Sequence, residues 1–237
     1  TQEANKAPKN KQLQKENFVA MVEYMDKIVG RIVKKVQSIG QEENTIILFT
    51  ADNGTNRGIT SRWNGLDIKG GKGGMKDMGT HVPLVAAWPG RSPTGVVCND
   101  LVDFTDMYPT FADAAGVSLG KDDPVDGCSF LPQLSGENGE TREFVFLHYQ
   151  PYWGAQPGQF ARTQEYKLYR NGGLFHVPED IEESSDLNLI NYLDQSGNEA
   201  ERLLSEVLSK APPAPTEPGS RTTVERPTYA DWPLLNH

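Results

Sequence analysis

The six residues Thr45-Ile46-Ile47-Leu48-Phe49-Thr50 form a short, continuous β-rich run that stops abruptly at Ala51-Asp52-Asn53-Gly54. Without polar alternation, such a run suits a strand covered on both faces in a parallel sheet. Two oxygen-bearing side chains, Asp52 and Asn53, then stand just past the carboxyl end of a buried strand. Open α/β sheets place their ligand sites there.

The flanking segments fit the same architecture. From Glu16 to Ser38 the residues Phe18, Met21, Val22, Met25, Ile28, Val29, Ile32, Val33 and Val36 recur at three- and four-residue steps. That period predicts one amphipathic helix, ended by Gly40. Val82 to Trp88 reads as a second buried strand closed by the Pro89-Gly90 turn. Between the strands, Gly54 to Met78 shows little periodicity and many glycines, which reads as a long loop of the kind that carries function. After Asp103 a helix is expected, with Thr105 or Asp106 near its cap, Pro109 in its first turn and Gly116 at its end. The order helix, strand, loop, strand, helix indicates an α/β layer architecture.

The texture changes over Asp122 to Gly139, a loop of Pro, Gly and acids. Beyond it, Glu143 to Tyr149, Gln164 to Arg170 and Leu174 to Val177 are short strand-like segments, the last two split by the turn Asn171-Gly172-Gly173. A small antiparallel sheet is expected, then a helix from Asn198 to Lys210 and a proline-rich extended tail from Ala211. The division predicted is therefore 1–139, 140–210 and 211–237.

A chain of 237 residues can bury a sizeable core. Its net charge of −9 argues against broad binding of nucleic acid or anionic membrane, since both call for a basic surface. No apolar run is long enough to span a bilayer, and Thr1 to Lys15 lacks the apolar centre of a signal peptide. Cys98 and Cys128 have no CxxC spacing, which speaks against a zinc ribbon or a disulfide scaffold.

Asp52 and Asn53 offer one carboxylate and one amide oxygen, hard ligands suited to Ca²⁺ or Mg²⁺. Two residues do not complete such a shell, and Asp-Asn-Gly is equally a turn after a strand. Lys72, within Gly70-Gly71-Lys72-Gly73-Gly74, could bring a compact positive charge to phosphate or sulfate oxygens. Gly73 follows it, so there is no Walker pattern, and a flexible glycine loop is the alternative. His81, His148, His176 and His237 show no metal-ligand spacing, which favours structural roles. Tyr149 to Gly158, with Tyr152 and Trp153, is an aromatic wall for a ring substrate or a packed corner between strands.

Taken together, Ile47 to Gly54, Gly71-Lys72-Gly73, Gly79-Thr80-His81-Val82-Pro83 and Trp88-Pro89-Gly90 resemble the sulfatase family of the alkaline phosphatase superfamily. Supporting matches are Tyr24 to Gly30, Asp103 to Thr110, Ala114 to Val117 and Asp126 to Pro132, and the likeness extends over Glu16 to Lys210. The resemblance implies part of an alkaline-phosphatase-like three-layer sandwich followed by the small antiparallel sheet and C-terminal helix. It implies a hydrolase of sulfate esters in which Asp52 and Asn53 are the later pair of calcium ligands and Lys72, as catalytic and substrate-binding residue, contacts the sulfate oxygens. In that family a formylglycine made from Cys or Ser attacks sulfur. Substrates would be sulfated small molecules or carbohydrates, and the location periplasmic or secreted.

The departures are as informative. The family's nucleophile motif, Cys or Ser, any residue, Pro or Ala, any residue, Arg, occurs nowhere in the sequence. The early aspartate pair, the arginine and the catalytic histidine of that family belong upstream of a helix like Glu16 to Ser38. The expectation is a C-terminal part that lacks the nucleophile and is inactive alone. Its exposed sheet edges would need the missing N-terminal part or self-association to cover them. A phosphoester or phosphonate hydrolase or transferase of the same superfamily, and a non-catalytic carbohydrate-binding module, are the alternatives.

Overall fold

The computed structural model describes residues 10–120, 122–123, 125–153, 155–190 and 193–217. They divide into two compact units, one running to Ser92 and one starting at Pro93. Part of the expected proline-rich tail, and His237, lie outside the described residues.

The first unit opens with α1 (Lys11–Ser38), capped by Asn10, whose side chain accepts from Gln12 N at 2.9 Å. At its other end Gly40 N–H donates to Gln37 O and Gln41 N–H to Val36 O, the paired bonds that satisfy the last carbonyls of a helix. None of its 28 residues is buried, and Met21 and Ile32 are 59% and 53% exposed. The expected apolar stripe is therefore present but only partly covered: Phe18, Ile28, Val29, Val33 and Val36 are half-buried, while Met21, Val22, Met25 and Ile32 are exposed.

β1 (Ile47–Thr50) pairs antiparallel with β4 (Leu84–Ala87), Ile47 opposite Ala87 and Thr50 opposite Leu84. This corrects the parallel, doubly covered strand read from the sequence. Every residue of β1 is only half-buried and Val85 of β4 is 58% exposed. An antiparallel pair needs no helical crossover, so the intervening loop suffices to join the two strands. Trp88, after β4, anchors the pair by donating from Nε1 to Glu43 O at 2.9 Å.

The long loop expected from Gly54 to Met78 holds a hairpin, β2 (Thr60–Trp63) and β3 (Leu66–Lys69). Its turn is Asn64-Gly65, with φ of 46° and 81°. Two positive φ angles give the turn whose twist matches the strands, and Asn-Gly is the pair that adopts it most readily. A single turn, α2 (Asp77–Thr80), follows before β4.

In the second unit Asp106 is the N-cap residue of the expected helix, as read from the sequence, and the side-chain cap comes from Asp103, one 3-10 turn earlier. Asp103 accepts from Thr105 N at 2.9 Å, while Asp106 accepts from Asp103 N in return. This capping box leads through a 3-10 turn into α3 (Met107–Ala114), which buries Pro109 and Thr110; α4 (Leu131–Leu134) is a further short turn. The expected antiparallel sheet is present with four strands in the order β5 (Val145–Tyr149), β6 (Gly158–Arg162), β7 (Tyr166–Tyr169) and β8 (Leu174–His176). α5 (Leu187–Ile190) precedes α6 (Gln195–Lys210), which buries Ala200, Leu204, Val207 and Leu208. Those side chains pack with Ala161, Leu168 and Leu174 as the core of this unit. At ~25 cal/mol per Å² of apolar area, this is the main stabilisation available to it.

One charged pair is built into that sheet. Lys167 is fully buried, its Nζ lies 2.9 Å from Glu183 Oε1 and 4.0 Å from the Phe160 ring centre, and Tyr169 donates its hydroxyl to the same carboxylate. Burying a lysine is tolerable only because its charge is paired and satisfied there.

Candidate functional site

Beyond Thr50 the chain turns through Asp52, exposed, and Asn53, half-buried, and then crosses the glycine-rich segment. Gly54 N–H donates to Gly79 O at 2.9 Å, and Lys72 N–H donates to Thr55 O at 3.0 Å. Such contact demands that no side chain intervene. A Cβ on Gly54 would lie 1.9 Å from Met78 O, and one on Gly79 would lie 2.3 Å from Gly74 O. These glycines serve close backbone approach, a use the sequence left undistinguished from flexibility.

The peptide of Lys72 is gripped on both sides. Its N–H is held by Thr55, and its carbonyl accepts from Arg57 Nε at 2.8 Å. The exposed lysine side chain therefore stands on a fixed base, three residues along a bonded path from Asn53. Arg57 was not singled out from sequence, since an arginine in a polar loop carries no pattern of its own. The turn after it is set by Asn56, whose side chain accepts from Gly58 N at 2.8 Å.

The histidines are engaged elsewhere. His81 is exposed and its Nδ1 lies 3.0 Å from Asp77 Oδ2, one turn back on α2. His148 Nδ1 accepts from Gln159 Nε2 at 2.9 Å across the β5–β6 pair, and His176 Nδ1 lies 3.3 Å from Glu179. Among the described residues no three His, Cys, Asp or Glu side chains gather into a metal-holding group. Asp52 and Asn53 fit a hard cation by donor chemistry, yet they supply only part of the roughly six to eight oxygens that calcium takes.

A second polar cluster lies in the other unit. Arg142 holds Asp106 through both Nε, at 3.1 Å, and Nη2, while Cys128 N–H donates to the same carboxylate at 2.8 Å. Asp106 is 1% exposed. Burial, aided by the Asp106 charge, pushes the Cys128 thiol above its ordinary range, and the Asp106 carboxylate raises Arg142 against the opposing effect of burial. A thiol so placed is held protonated, the opposite of what a nucleophile needs.

The sulfatase family model matches residues 1–117, and the model described as N-sulphoglucosamine sulphohydrolase, C-terminal, matches residues 71–202. The chain belongs to the sulfatase family. It is 40% identical over 119 residues to the sulfatase YdeN of Escherichia coli, covering 50% of this chain and 21% of that protein. It is 34% identical over 135 residues to human arylsulfatase D, covering 54% of this chain and 23% of that protein. A structure solved in complex with its substrate, D-glucosamine-2-N,6-O-disulfate, superposes with a TM-score of 0.70 at 24% identity, covering 84% of this chain and 41% of that one.

This sulfatase chain thus spans about a fifth to a quarter of the length of those two curated relatives. The fold class expected from sequence holds: part of an alkaline-phosphatase-like α/β sandwich, then a small antiparallel sheet with a C-terminal helix. No helix among the described residues is long and apolar enough to cross a membrane.

Proposed function

We propose that this chain is the C-terminal part of a calcium-dependent hydrolase of sulfate esters, with Asp52 and Asn53 as calcium ligands and Lys72 as the cation that meets the sulfate. The observation that carries this reading is the clamp on the Lys72 peptide, bonded through Thr55 and Arg57 to the segment that begins at Asp52. A lysine meant to stabilise charge on a transferring group must be placed before the reaction, since a preorganised charge costs no reorganisation when the transition state forms. Its compact ammonium suits a sulfate oxygen as a point contact.

Asp52 and Asn53, just past the end of β1, would hold the cation through a carboxylate and an amide oxygen. Calcium bound there would neutralise negative charge on the sulfate. The attack on sulfur by a formylglycine belongs to residues upstream of this chain, because the nucleophile motif is absent from the sequence. The chain alone is accordingly inactive. Residues 1–139 belong to the catalytic α/β domain, 140–210 form its C-terminal subdomain, and 211–237 form an extended tail. The partly covered stripe of α1 and the half-exposed β1–β4 pair take the upstream part of the protein, or a second copy in its absence.

Substrates of the parent protein are sulfated carbohydrates, a reading supported by the disulfated glucosamine in the structural relative. We assign the parent protein to the periplasm or the outside of the cell, the location the family resemblance implies. The test is hydrolysis of sulfate and phosphate monoesters with added calcium, by this chain and by a version carrying its upstream extension with the nucleophile converted to formylglycine. Sulfate-ester turnover confined to the extended protein is the expected result. Turnover by the 237-residue chain alone, or preference for phosphate, would overturn the reading.

A further inference from the structure

The loop joining β5 to β6 carries an aromatic cluster that the proposed chemistry does not use. Trp153 is 58% exposed and Tyr152 51% exposed, although both are large apolar surfaces. Their ring centres lie 5.1 Å apart at 84°, and Trp153 also meets Tyr149 at 6.2 Å and 72°. Each contact is edge to face, which fixes the rings relative to one another while leaving much of both in solvent.

The surroundings restrict what could cover them. From Tyr149 to Gln159 the sequence has eleven residues and no charged side chain, whereas 23% of the whole chain is charged. In that span Gln150 and Gln156 are exposed, whereas Gln159 is buried and its Nε2 is engaged by His148 and Pro212. The two ends of the span are held in place. Pro151 is buried, Gln150 Nε2 donates to Glu217 O at 3.2 Å, and Gln159 Nε2 donates to Pro212 O at 2.9 Å. A pair of exposed rings flanked by uncharged residues lacks the charges that would steer a nucleic acid or an acidic peptide. It matches a pyranose, whose C–H face is attracted to the electron-rich face of a ring and whose hydroxyls accept and donate to amides.

We infer that Tyr152 and Trp153 form a docking platform for an uncharged sugar ring of a glycan chain. The platform recognises the carbohydrate and not its sulfate groups. Trp and Tyr supply contact area with few rotors to freeze, so a held pair binds without a large ordering cost. The inference rests on the sulfated-carbohydrate reading only for the kind of glycan; its recognition chemistry is that of the neutral ring.

The test uses the 237-residue chain and a neutral hexamer of N-acetylglucosamine, followed by tryptophan emission and by calorimetry. A saturable emission change is expected. Trp153→Ala should weaken binding by about tenfold or more, the factor worth ~1.4 kcal/mol. Trp153→Tyr should retain most of it, because a stacking face remains. Affinity should hold from low to high salt, since no charge takes part. Both variants should keep the parent's melting temperature, the site being exposed. Absence of binding at millimolar hexamer, binding indifferent to Trp153→Ala, or binding that fades with salt would overturn the inference. Because the hexamer carries no sulfate, these outcomes are separate from success or failure of sulfate-ester hydrolysis.

Discussion

The backbone N–H of Lys72 donates to the carbonyl of Thr55 at 3.0 Å, and this bond joins the lysine of the glycine segment to the strand end that bears Asp52 and Asn53. This link between residues seventeen positions apart is made by main chain, and the Arg57 side chain adds a second tie at Lys72 O. Side-chain substitutions leave the main-chain bond in place, whereas a change that pushes the two backbones apart breaks it.

Gly79→Ala should therefore disrupt the site without touching a functional side chain. The new methyl would stand 2.3 Å from Gly74 O and 2.6 Å from Gly71 O, both backbone atoms with little room to yield. A cost of about 1–3 kcal/mol is expected from such overpacking. Gly30→Ala is the control of opposite sign, since its added Cβ meets nothing within 4 Å inside a helix, and it should stabilise by ~0.5–1 kcal/mol. Urea unfolding midpoints measure both.

The Arg142–Asp106 pair offers a second test. Arg142→Met leaves the carboxylate, 1% exposed, without its cation, and removal of one partner of a buried pair costs about 3–5 kcal/mol. The backbone donors Asp103 N and Cys128 N remain on Asp106 and hold the loss toward the lower end. Asp106→Asn combined with Arg142→Met should recover part of it. If both single and double variants unfold at the parent's denaturant midpoint, the pair contributes nothing.

Cys128 gives a pH dependence with a definite sign. Its thiol titrates above the ordinary 9.0 in the folded protein, burial being the main cause and the Asp106 charge the next. The folded state then holds a proton that the unfolded chain releases, so this contribution is complete below about pH 8.5 and declines as pH rises through the thiol range. Cys128→Ser should flatten that alkaline decline. At pH 8, iodoacetamide should modify exposed Cys98 well before Cys128, as peptide mass spectrometry would show.

Much of this molecule was legible from sequence because its signals were local. The 3.6-residue stripe of α1 and the apolar run of β1 name their own elements, and Asp52-Asn53-Gly54 follows directly from where that run stops. What escaped depended on partners distant in the chain. β1 reads as a doubly covered strand, yet its pairing direction is decided by Leu84–Ala87, thirty-odd residues on. β6, Gly158–Arg162, mixes Gln, Ala and Arg and lacks alternation, so its pairing with β5 and β7 makes it a strand. The β2–β3 hairpin is within reach of the sequence, since Asn64-Gly65 is a strong turn signal and Leu66-Asp67-Ile68-Lys69 alternates, but Thr60-Ser61-Arg62 shows no apolar period. At the site, Arg57 acts through one bond to Lys72 O and leaves no pattern in sequence.

The most direct test of the central claim is kcat/KM for a sulfate monoester, measured on the extended, formylglycine-bearing protein with calcium, for the parent and for Lys72→Ala. The proposed role predicts a loss of about 10²–10³-fold, the range expected when one preorganised donor to a developing charge is removed, with the variant as stable as the parent. Undiminished turnover by Lys72→Ala would contradict it and would leave the clamped lysine without a part in the chemistry.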